Sequence, residues 1–177
     1  MKKEYRGIWL VAASTFGVTL VLAEVSRSFL EKISPFFSLL FLLFIISIGI
    51  LFDIIGTAVI SAHESTFHAM AAKQVPAANR AIRLVKRAGE VANFCNDLVG
   101  DIAGTLSGAM GAIVATSLGG PVLIALMAPI VSTLTVGGKA LGKGAAIKYA
   151  DKIIYQVASV LSWWEGFFQK GKNRRRS

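Results

Sequence analysis

Residues 36 to 70 read FFSLLFLLFIISIGILFDIIGTAVISAHESTFHAM, and this stretch decides the fold class. From Phe36 to Ile60 the only charged side chain is Asp53, and as a helix the run is long enough to cross the roughly 30 Å of hydrocarbon in a bilayer. After Ile60 the chain turns polar. His63, Glu64 and His68 invite comparison with the zinc-protease pattern H-E-x-x-H, whose histidines stand at i and i+4 so that both rings reach one ion. Here the spacing is i, i+5, which sets the rings roughly 140° apart around a helix. No further His, Cys or acidic residue stands nearby at ligand spacing, so the segment is read as a chain leaving a membrane. The two histidines have no evident partner in the sequence.

Composition extends the membrane reading to the whole chain. Of 177 residues 54% are hydrophobic and 16% charged, with mean hydropathy +0.62 and net charge +9. A water-soluble domain of this length usually carries about 25% charged residues, so too much of this surface is apolar to face water. The single cysteine, Cys95, excludes an internal disulfide framework and a cysteine-rich zinc site. The first apolar stretch follows Lys2, Lys3 and Arg6 but lacks a small-x-small exit, so it is expected to be retained as a span rather than cleaved.

Four stretches have spanning length: about residues 7 to 25, 36 to 60, 94 to 117 and 121 to 138. The last two are rich in Gly, Ala, Ser and Thr, a composition suited to packing against protein. The polar segment 62 to 93 is expected to form cytosolic juxtamembrane helices divided by Pro76. Orientation follows from the 19 basic residues, because Lys and Arg are retained on the cytosolic side. With four spans and both termini inside, only Arg27 and Lys32 fall outside. The expected location is the plasma membrane, taken as a bacterial inner membrane.

Residues 143 to 168 carry apolar side chains at helical spacing, among them Ile147, Ile154, Val157, Leu161 and Trp164. The pattern predicts an amphipathic helix lying in the membrane interface with Trp163 and Trp164 at headgroup level. The alternative is a helix packed on the cytosolic loop. Residues 169 to 177, ending in Arg174, Arg175 and Arg176, are expected to be a disordered basic tail that attracts anionic lipid. Nucleic acid is not an expected partner, since no aromatic platform or folded motif accompanies the basic residues.

Ionisable residues inside spans are costly and are therefore candidates for function. Asp53 lies in the second span, and Asp97 and Asp101 follow one another by a helical turn near the cytosolic end of the third. With hydroxyls from Ser61, Thr105 and Ser107 they offer the hard oxygen ligands that magnesium or sodium accepts. Against this, Asp97 also suits a simple interfacial position, and Asp101 suits an ion pair with Lys139 or a loop arginine. Gly100, Gly104 and Gly108 recur at every fourth position and predict close helix contact, within the chain or across a dimer.

Taken together, these segments resemble the transmembrane domain of the CNNM/CorC magnesium transporters. "ISAHESTF" is similar to that family's S-A-x-E-T-A-L signature, with Ser61, Ala62 and Glu64 in register. "ANRAIRLVKRAGEVANF" is similar to its juxtamembrane helices, "LVGDIAGTLSGA" to its L-V-N-I-x-x-G-x-L-x-G pattern, and "VGGKALGKGAAIKYADKI" to its F-G-E-I-x-P-K-x-x-A segment. The resemblance covers about residues 38 to 165 in order. It implies a dimer that binds a cation between spans and moves magnesium in exchange for sodium, with no resident cofactor. It would place ligands at Ser61 and around Gly100 and Lys139. The chain departs from the pattern where the family's asparagine is Gly100, its glutamate is Lys139 and its proline is Gly142. A lysine at a cation site repels the ion unless it is neutral or turned away.

The expected fold is thus an all-α integral membrane protein with about four transmembrane helices, cytosolic juxtamembrane helices and an interfacial amphipathic helix. Residues 1 to 35 form the first span and outer loop, 36 to 142 the CNNM/CorC-like domain, 143 to 168 the amphipathic helix and 169 to 177 the tail. The segment after Trp164 is too short for the nucleotide-sensing domains that follow in the family, so nucleotide regulation is not expected in this stretch. Two functions fit: a minimal magnesium or related cation transporter, or a non-transporting scaffold or partner subunit built on that fold. An enzyme is not expected, because no Ser-His-Asp order, phosphate loop or metal-hydrolase spacing is present.

Overall fold

A computed structural model describes residues 2–30 and 32–173. All its regular elements are helical among the described residues. In chain order they are α1 (Lys2–Leu30), α2 (Pro35–Ser61), α3 (Glu64–Ala72), α4 (Ala78–Lys86), α5 (Ala88–Asn93), a π-helical segment (Phe94–Gly100), α6 (Asp101–Leu118), α7 (Pro121–Lys148) and α8 (Ala150–Asn173). Three helical stretches are long and apolar enough to cross a membrane: Pro35–Ser61, Ala88–Leu118 and Pro121–Lys148. The first, with mean hydropathy 2.7 against 1.5 and 1.8, is the run of large aliphatic and aromatic residues. The other two are diluted by small residues.

Two boundaries differ from the sequence expectation. The span expected at 94 to 117 begins at Ala88, because α5, the π segment and α6 follow one another without a break. The span expected to end near 138 runs on to Lys148 through Gly137, Gly138, Gly142 and Gly144. Glycine weakens a helix by about 1 kcal/mol per residue but keeps its N–H, so it does not stop one as proline does. The amphipathic helix expected from residue 143 accordingly starts later, at Ala150, and α8 continues to Asn173. The end of the basic tail, residues 174 to 177, lies outside the described residues.

The chain divides into two compact units, Met1–Leu51 with Asp97–Lys139, and Phe52–Asn96 with Ala140–Ser177. In the first, Leu42, Ile46, Leu106, Met110, Val114, Ala115, Met127 and Val131 form a buried apolar cluster. The intimate helix contacts here are made by Gly49, Gly111 and Gly138, the last against Ile50. A Cβ on Gly111 would come 3.0 Å from Val131 Cγ2 and 3.2 Å from Met127 Cγ, and one on Gly49 would come 3.0 Å from Ala103 Cβ. A Cβ on Gly104 or Gly108 would meet nothing within 4 Å. Of the three expected packing glycines only Gly100 is buried, so the groove at Gly104 and Gly108 is not filled among the described residues.

The second unit is organised around Phe67, fully buried with Ala58, Val59, Ala81, Ile82, Ala92, Ala146, Ile154 and Ala158. Helix α4 packs on α3 and α8 because Ala78, Ala81 and Ile82 line one face while Asn79, Arg83 and Lys86 face away, exposed. The expected division at Pro76 is present. Gln74 (φ 57°) and Ala77 (φ 62°) adopt left-handed conformations on either side of it and reverse the chain between α3 and α4. Helix α8 packs on this core, as the alternative of a loop-packed helix expects. Ala150, Ile154 and Ala158 are buried in this core, whereas Val160, Trp163 and Trp164 stay exposed.

Candidate functional site

The second unit gathers the polar groups that most invite a functional reading. Asp53 lies in the otherwise apolar α2 and is only 6% exposed. A buried carboxylate is costly unless hydrogen bonds, a cation or a proton compensates it. One turn along the same face stands Gly56, where a Cβ would overlap the side-chain amide of Asn96. Glycine at 56 therefore allows the Asn96 amide to lie against the backbone of α2. Asn96 Oδ1 is buried and has no hydrogen-bond partner among the described residues. An amide oxygen left so costs about 1–3 kcal/mol unless something meets it.

Local backbone geometry places Asn96 there. It belongs to the π segment Phe94–Gly100, and such segments, which alter the hydrogen-bond register of a helix, occur frequently at functional sites. A carboxylate, an amide oxygen and backbone carbonyls are hard donors suited to magnesium, sodium or calcium and poorly suited to soft metals. Among the described residues no group of three or more His, Cys, Asp or Glu side chains comes together as a metal site. An ion here would depend on amide and carbonyl oxygens as much as on carboxylate.

The other expected ligands are placed differently. The Ser61 hydroxyl donates to the Thr57 carbonyl at 3.0 Å, within its own helix. Asp97 and Asp101 are both exposed, Gly100 is buried and Lys139 is half-buried. The one-turn spacing of Asp97 and Asp101 assumes an uninterrupted α-helix, yet Asp97 lies in the π segment and Asp101 opens α6. Asp53 is among the ligands expected from the sequence, whereas Asn96 is not. The available signal was a small residue, Gly56, one turn from the lone charge in an apolar helix.

Both histidines do have partners. The His63 backbone N–H donates to Asp151 Oδ1 at 2.8 Å, the Thr66 hydroxyl donates to Oδ2 at 2.8 Å, and His63 Nδ1 lies 3.5 Å from Oδ1. Asp151 thus caps the N-terminus of α3 from the distant helix α8, where His63 supplies no side-chain cap of its own. Burial pushes the Asp151 carboxyl up, but the hydrogen bonds from His63 and Thr66 outweigh it and hold the group below the usual Asp value. Nearby, His68 Nε2 hydrogen-bonds Glu64 Oε1 at 2.9 Å, and Lys86 Nζ stands 3.6 Å from the same oxygen. The His68 bond holds Glu64 below the usual Glu value, with Lys86 contributing. These pairs tie the start of α3 to α8 and to α4.

No family model matches the chain, and neither a curated protein nor a solved structure matches it.

Proposed function

We propose that this is a multi-pass membrane protein that binds a hard cation beside Asp53 and Asn96 and carries it across the bilayer, magnesium first among the candidates. The observation that carries the reading is the buried, unpartnered Asn96 oxygen lodged one turn of α2 from the buried Asp53 carboxylate. A hard cation would meet the need of the amide oxygen in a place where a carboxylate stands one turn away. The resemblance to the CNNM/CorC transmembrane domain supports magnesium as the ion and sodium as its counter-ion. In this reading α1, 29 residues long, is a fourth span, both termini are cytosolic and the chain works as a dimer.

The residue roles shift from the family-like positions to Asp53 and Asn96. Asp97 and Asp101, both exposed, are secondary in this reading. The test is magnesium flux into proteoliposomes holding a trapped indicator, with and without a sodium gradient. Asp53→Asn is expected to abolish flux and ion-dependent thermal stabilisation, while Asp101→Asn only slows flux. Flux unchanged by Asp53→Asn would sink the assignment.

A second reading rests on Lys139, which stands where the resembling family has a glutamate. Under it the chain is a non-transporting scaffold or partner subunit in which Lys139 forms an internal ion pair with Asp101. Absence of flux from a folded wild-type preparation, with Lys139→Glu gaining magnesium-dependent stabilisation, would favour that alternative.

A further inference from the structure

A groove of about 730 Å³ opens on the second unit beside α4 and α8. Four cationic side chains line it: Arg80, Arg83, Lys86 and Arg87. Three are already oriented by carboxylates. Arg80 is held in a two-pronged pair with Glu165 and also donates to the Leu161 carbonyl at 3.4 Å, Arg87 pairs with Glu90, and Lys86 lies 3.6 Å from Glu64. Arg83 makes no salt bridge among the described residues and is the surplus positive charge.

Apart from Glu90, which is paired with Arg87, the rest of the lining is apolar, and this distinguishes the groove from a solvated basic face. Leu161 and Phe94 form part of it, and Phe94, 54% exposed, belongs to the apolar stretch Ala88–Leu118 that is long enough to span a membrane. Cations therefore stand beside the first turns of a stretch long and apolar enough to cross a membrane. Val160, Trp163 and Trp164 are exposed on the adjoining helix α8, and indole rings concentrate at headgroup depth. A free anion would need the cations but not the apolar lining. A peptide or a lipid without net negative charge would leave the four cations in excess of the three carboxylates paired with them.

We infer that this groove is a binding site for an anionic phospholipid, whose phosphate is held by Arg83 and Lys86 while its glycerol and upper acyl chain lie on Phe94 and Leu161. Arginine donates in a planar fork that matches phosphate oxygens, and lysine supplies a point charge beside it. The site is separate from the basic tail and independent of the transport reading. It requires only that Ala88–Leu118 enter a membrane.

The full chain, purified in a non-ionic detergent, would be examined by native mass spectrometry with phosphatidylglycerol or phosphatidylcholine of the same acyl chains. Preferential retention of phosphatidylglycerol is expected, lowered about tenfold by the double variant Arg83→Gln, Lys86→Gln. The charge-preserving double variant Arg83→Lys, Lys86→Arg is expected to keep selectivity over phosphatidylcholine, which separates lost charge from lost folding. Replacing Arg174, Arg175 and Arg176 by Gln is expected to leave retention unchanged. Equal retention of the two lipids overturns the proposal, as does loss through the tail variant alone. Displacement by an equal concentration of glycerophosphate overturns the lipid as the source and makes the ligand a soluble phosphate.

Discussion

In the unit built on Phe67, short helices are tied together by charged and hydrogen-bonding groups far apart in sequence: Asp151 on His63 and Thr66, and Glu165 on Arg80. In the unit built on Met110, the hydroxyls of Ser47, Thr105 and Ser107 donate to carbonyls of their own helix. There long helices meet through glycine and methyl groups, as at Gly111 with Val131 and Met127. The difference follows from the surroundings each unit is suited to. Where water can solvate the unfolded alternative, fixed polar partners select the arrangement. Where the surroundings are as apolar as the helices, close packing has to select it.

The strongest test of that contrast removes the centre of the first arrangement. Phe67→Ala would open a cavity among Val59, Ile82 and Ile154 and is expected to cost about 3–5 kcal/mol. Thermal unfolding of the purified chain would show it, with hydrogen exchange rising across α3 and α4 before α6. A uniform rise would mean that the two units unfold together. Overfilling the second arrangement is expected to do less. Gly111→Val places new atoms against Val131 and Met127, at a cost of about 1–3 kcal/mol, with exchange rising first in α6 and α7.

These two positions also show how much was legible beforehand. The all-helical fold and the membrane-spanning stretches at α2, α6 and α7 follow from long apolar runs, which need no tertiary information. The helices on either side of Pro76 follow from the missing N–H and fixed φ of proline. By contrast, four-residue glycine spacing pointed to Gly104 and Gly108, while the filled approach is at Gly111 on the same helix. Spacing shows that a groove exists but not which helix enters it. The candidate site was half legible: Asp53 stands out as a charge in an apolar run. Asn96 does not, because its placement depends on the π segment and on the space left at Gly56. Likewise Asp151 and His63 are too distant in sequence for any local pattern to pair them.

That distant pair gives a pH-dependent prediction. Asp151 has a lowered native pKa, so its ionised form is favoured by folding. Its contribution is fully present above the unfolded Asp value, about 3.9, and is lost as the pH falls through the lower native value. Asp151→Ala is expected to destabilise the chain by about 1–2 kcal/mol at neutral pH, the usual cost of removing a helix cap. The difference in melting temperature between variant and wild type should narrow below pH 4 or thereabouts. A constant difference down to acid pH would show that Asp151 acts through packing and not through its charge.

The smallest expected effect asks whether the open glycine face of α6 is used at all. A Cβ at Gly104 or Gly108 meets nothing within the chain, so Gly104→Ala and Gly108→Ala should each stabilise the monomer slightly, by about 0.4–1 kcal/mol, through reduced freedom of the unfolded backbone. Gly111→Ala, one turn further on, should do the opposite because its methyl group presses on Val131. If a second copy docks on the open face, the same alanines would hold the two backbones apart and weaken the dimer. Melting curves and cross-linking on one set of variants separate the cases. Stabilisation with unchanged cross-linking leaves the face to lipid, whereas stabilisation of the monomer with loss of cross-linking assigns it to the dimer.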